Sequence, residues 1–122
     1  MGLGPVLSAT ALLKRNDLAL SEIETWELNE AFATQVLGCL AAWNDEKFCK
    51  EILGLAGAAG QIDPSKLNVD GGAISLGHPV GTSGNRIVLH LINTMKRLGT
   101  RRGIATECIG GGQGGAMLIE AV

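Results

Sequence analysis

Gly71 to Arg86 reads GGAISLGHPVGTSGNR, and the organisation of the chain follows outward from this stretch. It is dense in glycine, carries one proline and one histidine, His78, and runs directly into an apolar segment with helical periodicity. Glycine is favoured where a backbone takes positive φ or lets another group come against the main chain, freedoms that cost entropy an ordinary loop does not lose. The pattern predicts a functional loop in front of a helix.

That helix is the best marked in the chain. Ser83 is placed as its N-cap, Ile87, Leu91, Met95 and Leu98 share a face, Lys96 and Arg97 sit at the dipole-favoured end, and Gly99 lies just past it. Upstream, Asn68-Val69-Asp70-Gly71-Gly72 is strong turn chemistry. Downstream, Arg102 to Ile109 reads as a buried strand, Gly110 to Gly115 as a glycine turn and Ala116 to Glu120 as a second strand, together a terminal hairpin.

The N-terminal part reads as helices with one ambiguity. Pro5 suits the first turn of a helix through LSATALLKRN. Ser21 to Glu24 matches a capping box, yet Ile23, Thr25, Trp26 and Leu28 also fit a short buried strand ending at Asn29. From Glu30 the spacing Phe32, Val36, Leu40, Trp43 puts apolar residues on one helical face, with Gln35 away from it. Asp45 can cap a further turn through Phe48, Ile52 and Leu53; Gly54, Gly57 and Gly60 then loosen the chain, and Asp63-Pro64 starts a single turn.

Composition bounds the function classes. The 122 residues fit one domain, 46% hydrophobic with only 3% aromatic residues, so the core is aliphatic and packed with alanine and glycine. Ten basic against twelve acidic residues give a net charge of −2, without the basic stripe that nucleic-acid binding needs. Ala31 to Trp43 is too short an apolar run for a bilayer. Cys39, Cys49 and Cys108 lack framework or metal-ligand spacing, which predicts a cytoplasmic setting without disulfides or a bound metal.

Gly110, Gly112 and Gly115 satisfy G-x-G-x-x-G, but a dinucleotide fingerprint must open a helix inside a βαβ unit and meet an acidic residue ~20 positions on. Here the residues after Gly115 read as a strand. Three separated islands remain: Asn29-Glu30-Ala31-Phe32, Gly77-His78-Pro79 and Cys108-Ile109-Gly110-Gly111-Gly112. Each has a plain reading, with Asn29 as a helix cap, His78 as a turn residue and Cys108 as a small buried hydrophobe. Brought together, they could instead share proton transfer and offer free backbone N–H groups to a developing oxyanion.

The segments NEAFA, GGAISLGHPVGTSG and CIGGGQGG resemble, in order and rough spacing, the signatures of the C-terminal half of thiolases, the acetyl-CoA acetyltransferases and 3-ketoacyl-CoA thiolases. The resemblance spans essentially the whole chain. It implies an α/β fold, helices on a small mixed sheet with a C-terminal hairpin, lacking the first two strands of the family half and leaving open sheet edges. It also implies acyl transfer to or from coenzyme A, with Claisen condensation or thiolytic cleavage of a 3-ketoacyl-CoA thioester, and no covalently bound cofactor.

By motif, Cys108 would be the second cysteine of the family, moving a proton at the α-carbon. As a base it would act as thiolate, a form that nearby dipoles favour. His78 would activate the nucleophile and donate a hydrogen bond to the thioester oxygen. Asn29 would hold a water supplying the second donor, Gly110 would offer its N–H to the tetrahedral intermediate, and Phe32 would line the pantetheine path. The nucleophilic cysteine of the family's N-terminal half has no counterpart at Cys39 or Cys49. The resemblance therefore implies half an active site, inactive alone, whose partner is an N-terminal thiolase half or a second copy of the chain. The alternative is a non-catalytic module that binds acyl-CoA or a subunit. The resemblance further implies an insertion between Asp45 and Gly60. Lys96, Arg97, Arg101 and Arg102 could form a phosphate patch or simply a solvated helix end.

Overall fold

The structure is a computed structural model that describes residues 2–122. Where the sequence left a choice between helix and strand, Thr25–Leu28 forms a strand, β1, with all four residues buried. The capping box expected of Ser21 and Glu24 is not made. The Glu22 carboxylate accepts the Ala19 N–H at 2.7 Å and closes a 3-10 turn, Leu20–Glu22, while Glu24 accepts the Arg101 N–H at 3.2 Å.

The described residues hold one sheet of three strands in the order β1, β2 (Arg102–Gly110), β3 (Gln113–Glu120). β1 runs parallel to β2, Thr25 opposite Gly103 through Leu28 opposite Thr106, and β3 is antiparallel to β2. Parallel pairing demands a long crossover, and residues 29–101 supply it. The outer edge of β1 is not open: Trp26 accepts the Asn68 N–H, and the Asn68 amide bonds both the N–H and the C=O of Leu28, each at 2.9 Å. Among the described residues no strand pairs with the outer edge of β3.

Helix α1 (Gly4–Arg15) covers one face of the sheet and α5 (Ser83–Leu98) the other. On the α1 face Val6, Ala9, Trp26, Leu28, Trp43 and Ile104 form the main core, with the two indole rings 5.7 Å apart and the Trp43 Nε1–H donated to Thr10 Oγ1 at 3.1 Å. On the α5 face Ile87, Leu91 and Met95 close on Ala105, as their spacing predicted, while Leu98, placed with them by the same spacing, is exposed at the helix end, and Gly99 takes φ +68 as the C-cap.

Helix α2 (Ala33–Asn44) departs from its sequence reading. It begins after Glu30, with Phe32 extended and exposed at its N-cap, and its buried face is Gln35, Cys39, Ala42 and Trp43. Val36 and Leu40 are only half-buried. The small Cys39 and Ala42 select this face, because they let α2 lie close to the start of α1, where the Cys39 thiol donates to Gly2 O at 3.3 Å. Gln35 is carried inward with them, its amide without a protein partner.

Asp45 caps α3 (Glu46–Glu51) through the Phe48 N–H at 2.8 Å. The glycine-containing segment beyond it folds back, Ala59 and Gly60 donating to Trp43 O. Asp63 caps the single turn Pro64–Lys66, as expected.

The hairpin turn is shorter than Gly110 to Gly115. Only Gly111 and Gly112, at φ +57 and +79, make it, a left-handed pair suited to a two-residue hairpin. Gly114 pairs with Cys108 in β3 and is glycine because α1 presses on it: a Cβ there would lie 2.1 Å from Gly4 O. Gly114→Ala is therefore expected to push α1 off the sheet and cost about 1–3 kcal/mol, the usual penalty of overpacking, read as a lower urea midpoint. Gly2→Ala, where a Cβ meets nothing within 4 Å, is the matched control.

Candidate active site

The glycine stretch folds as a loop strapped across the end of the sheet, with one short helix, α4 (Ala73–Leu76), inside it. At its start Asn68 and Gly71 take φ +46 and +89, and Gly71 donates to Asn68 O at 2.8 Å. Asp70 then ties the loop to α5, accepting from His90 Nε2 at 3.2 Å, from Thr94 Oγ1 at 3.4 Å and from Arg97. Desolvation pushes the Asp70 carboxyl up, but the hydrogen bond and charge of Arg97, with His90, outweigh it and hold it below its ordinary value. At the far end of the loop His78 Nδ1 meets Ser83 Oγ at 2.6 Å.

Ser83 is the residue that sequence reasoning misplaced. It is the first residue of α5 rather than its cap, and Thr82 occupies the cap position without a side-chain bond. Ser83 is buried, and its hydroxyl reaches Pro79 O at 3.4 Å as well as His78. One proton arrangement satisfies all of these atoms: Nδ1–H donates to Oγ, Oγ–H donates to the Pro79 carbonyl, and Nε2 keeps its lone pair. The five-residue spacing from His78 to Ser83 carried that signal, but the same serine also looked like an ordinary cap.

Asn29 is not a helix cap. It follows β1, is 1% exposed, and places Nδ2 3.5 Å from His78 Nε2, at the outer limit of a hydrogen bond. Its Oδ1 is buried without a protein partner. Cys108 lies half-buried near the end of β2, opposite Gly114, and Gly110 follows at φ +101 across an irregularity in the ladder. His78, Cys108, Gly110, Phe32, Glu107 and Val80 line one open cleft of about 400 Å³. The three islands thus meet, with Asn29 behind His78 rather than on the cleft wall. Phe32, Val80 and Ile109 at the cleft and Ile74 and Leu76 in the loop are exposed apolar side chains.

Cys39 and Cys49 do not line this cleft; both are fully buried in the main core. Burial pushes the Cys39 thiol up to about 11. The Cys49 thiol donates to the carbonyls of Ala42 and Trp43 at 3.4 and 3.3 Å. Both are packing residues. The basic patch dissolves in part: Arg97 pairs with Asp70, and Arg102 with Glu120 and Glu22. A larger groove, about 480 Å³, lies at the other end of α5 beside Met95 and Ile119, without histidine or cysteine. Among the described residues no group of three or more His, Cys, Asp or Glu is placed to hold a metal, and no helix is long and apolar enough to cross a membrane.

Behind the loop, Glu27 of β1 is buried and accepts from His90 Nδ1 at 2.8 Å, with Arg86 at 3.5 Å. Burial pushes its carboxyl up, against the lowering pull of His90 and Arg86. A raised folded value means that Glu27 favours folding while protonated, and that this contribution is lost as pH rises from the ordinary carboxylate value through the raised one. Wild type should lose stability relative to Glu27→Gln over that window. Urea midpoints of the two proteins across acidic to neutral pH check it, and parallel curves would show that Glu27 does not titrate with folding.

The family model described as "Thiolase, C-terminal domain" matches residues 1–121. The chain is 47% identical over 122 residues to a beta-ketoadipyl-CoA thiolase of Pseudomonas aeruginosa, covering 100% of this chain and 27% of that protein. It is 48% identical over 120 residues to a 3-ketoacyl-CoA thiolase of Aliivibrio fischeri, covering 98% and 27%. The structure of an acetyl-CoA acetyltransferase from Syntrophomonas wolfei superposes with a TM-score of 0.79 at 39% identity, covering 96% of this chain and 27% of that one. The chain thus spans about 27% of the length of these relatives. The match over residues 1–121 and the α/β fold lead to one family: the chain belongs to the thiolases, as a C-terminal domain.

Proposed function

We propose that these residues form the proton-transfer and oxyanion wall of an acyl-CoA acyltransferase that condenses two acyl thioesters or cleaves a 3-ketoacyl-CoA with coenzyme A. The observation that carries this reading is the convergence of His78, Cys108 and Gly110 on one cleft with Asn29 directly behind His78. In condensation, the Cys108 thiolate removes a proton from the α-carbon of one acyl-CoA. The resulting carbanion attacks the carbonyl of an acyl group held as a thioester on a nucleophilic cysteine. That attack forms the carbon–carbon bond, and collapse of the tetrahedral intermediate restores the carbonyl, breaks the carbon–sulfur bond and releases that cysteine as thiolate.

The charge that develops on the thioester oxygen needs donors in place before reaction. His78 supplies one from Nε2 when protonated. Asn29, whose buried Oδ1 lacks a protein partner, holds a water that supplies another. The Gly110 N–H serves the tetrahedral intermediate, and Phe32 flanks the pantetheine arm. Cys39 and Cys49 are sealed in the core, so the nucleophile comes from sequence outside these 122 residues. The exposed apolar residues Phe32, Ile74, Leu76, Val80 and Ile109 are the surface on which the nucleophile-bearing half docks, and the isolated chain is inactive.

The test is to measure thiolysis of a 3-ketoacyl-CoA by the 122-residue chain alone and after co-expression with an N-terminal thiolase half. Activity only in the mixture supports the proposal. Turnover by the chain alone overturns its dependence on an outside cysteine. Acyl-CoA binding by a stable complex without turnover identifies a non-catalytic module instead.

A further inference from the structure

Glu30 follows Asn29 at the end of β1, and its side chain leaves the strand to cross to the glycine loop. Oε1 accepts from Asn68 Nδ2 at 3.0 Å and Oε2 from the Ile74 N–H at 3.1 Å. Both partners are donors, so a carboxylate matches them where an amide could satisfy only one. The fit is close on the third side as well. Gly72 is buried against the carboxylate, and a Cβ there would lie 2.4 Å from the Glu30 carboxyl carbon. Gly72 has φ −145, an extended value open to any residue, so space for the carboxylate and not backbone conformation requires glycine at this position.

These contacts join pieces of chain far apart in sequence. Asn68, while donating to Glu30, also bonds both backbone groups of Leu28, so one amide closes the edge of β1 and holds the carboxylate. Ile74 lies in α4, four residues before His78. Asn29, adjacent to Glu30, reaches His78 Nε2 at 3.5 Å. The loop between Gly72 and His78 is therefore held at one end by Glu30 and at the other by Ser83.

We propose that Glu30 is a positioning residue: its carboxylate clasps the loop through Ile74 and Asn68 and so sets His78 in register with Asn29 and Cys108. As a clasp this stands on geometry alone; its consequence for catalysis rests on the thiolase reading above. Hydrogen bonds to a charged acceptor are stronger than neutral ones, and a histidine that must serve as both base and donor is sensitive to small displacements.

The test uses the isotope-labelled 122-residue chain and compares Glu30→Ala, Glu30→Gln and Gly72→Ala. Exchange of the Ile74 amide should accelerate about tenfold or more in Glu30→Ala, by the strength of a charge-assisted bond, and by less in Glu30→Gln, which keeps one bond. Gly72→Ala should resemble Glu30→Ala. In each variant the His78 ring nitrogens should move from one tautomer's shifts towards an average, while the Ile104 amide in the core stays protected. If Glu30→Ala does not fold, Glu30→Gln decides. Unchanged Ile74 exchange and unchanged His78 shifts in Glu30→Gln would overturn the proposal, as would equal loss of protection at Ile74 and Ile104, which marks general destabilisation. These measurements need no turnover, so they stand even if the catalytic reading fails. In the complex with the N-terminal half, kcat should fall while KM changes little.

Discussion

Cys108→Ala, in the complex with the nucleophile-bearing half, is expected to lower kcat for condensation and thiolysis by about 10²- to 10⁴-fold, the range lost with one general acid–base group. Of the three cysteines only Cys108 reaches the cleft, since Cys39 and Cys49 are fully buried. Alanine fills nearly the same space, and at a half-buried position beside glycines the fold should tolerate it. The loss should fall on one half of the reaction. Acylation of the nucleophile by an acyl-CoA, unlike its acylation by cleavage of a 3-ketoacyl-CoA, moves no proton at an α-carbon, so with acyl-CoA as donor the acyl-enzyme should still form and be visible by mass. KM should change little, because a group that acts only in the transition state contributes equally to kcat and kcat/KM. Loss of acylation together with condensation would show that Cys108 is needed for more than the α-proton.

His78→Asn is expected to impair both halves, lowering kcat by about 10²- to 10⁴-fold, the range lost with one general acid–base group. Asparagine can offer an N–H in the cleft but cannot accept and return a proton, so acyl-enzyme formation should slow along with condensation. The tethering of the ring gives a sharper check. Ser83 Oγ lies 2.6 Å from Nδ1 and fixes which nitrogen faces Asn29. Ser83→Ala leaves the imidazole chemically intact but free to take either tautomer, so its effect should be smaller than that of His78→Asn and should appear as a changed pH profile. A His78→Asn enzyme that acylates at the wild-type rate would confine His78 to oxyanion stabilisation.

Much of the framework was legible because it rests on local rules. The helix over Ser83–Leu98, its C-cap at Gly99, the caps at Asp45 and Asp63 and the terminal hairpin were read from spacing and turn chemistry, and the structure contains them. The misreadings share a cause. The inward face of α2, Gln35 included, is chosen by how closely Cys39 and Ala42 let it approach α1. Two of the glycines read as turn, Gly114 and Gly115, lie in β3 instead, Gly114 being glycine because Gly4 presses on it. Ser83 faces a histidine instead of capping a helix. In each case a contact distant in sequence overrides a local preference.

For the candidate site the division runs the same way. From the residues alone came the chemistry on offer: a histidine in a glycine loop, a cysteine before a run of glycines, and an asparagine at the end of a buried segment, in the order of a thiolase half. Residue identity limits which protons can move, and that is local information. Only the tertiary structure shows that Asn29 stands behind His78, that Cys108 shares its cleft while two other cysteines are sealed in the core, and that Glu30 reaches across to hold the loop. The partners in these contacts lie as many as 49 residues apart. Distance between such groups is set by sheet register and helix packing, which no local pattern records.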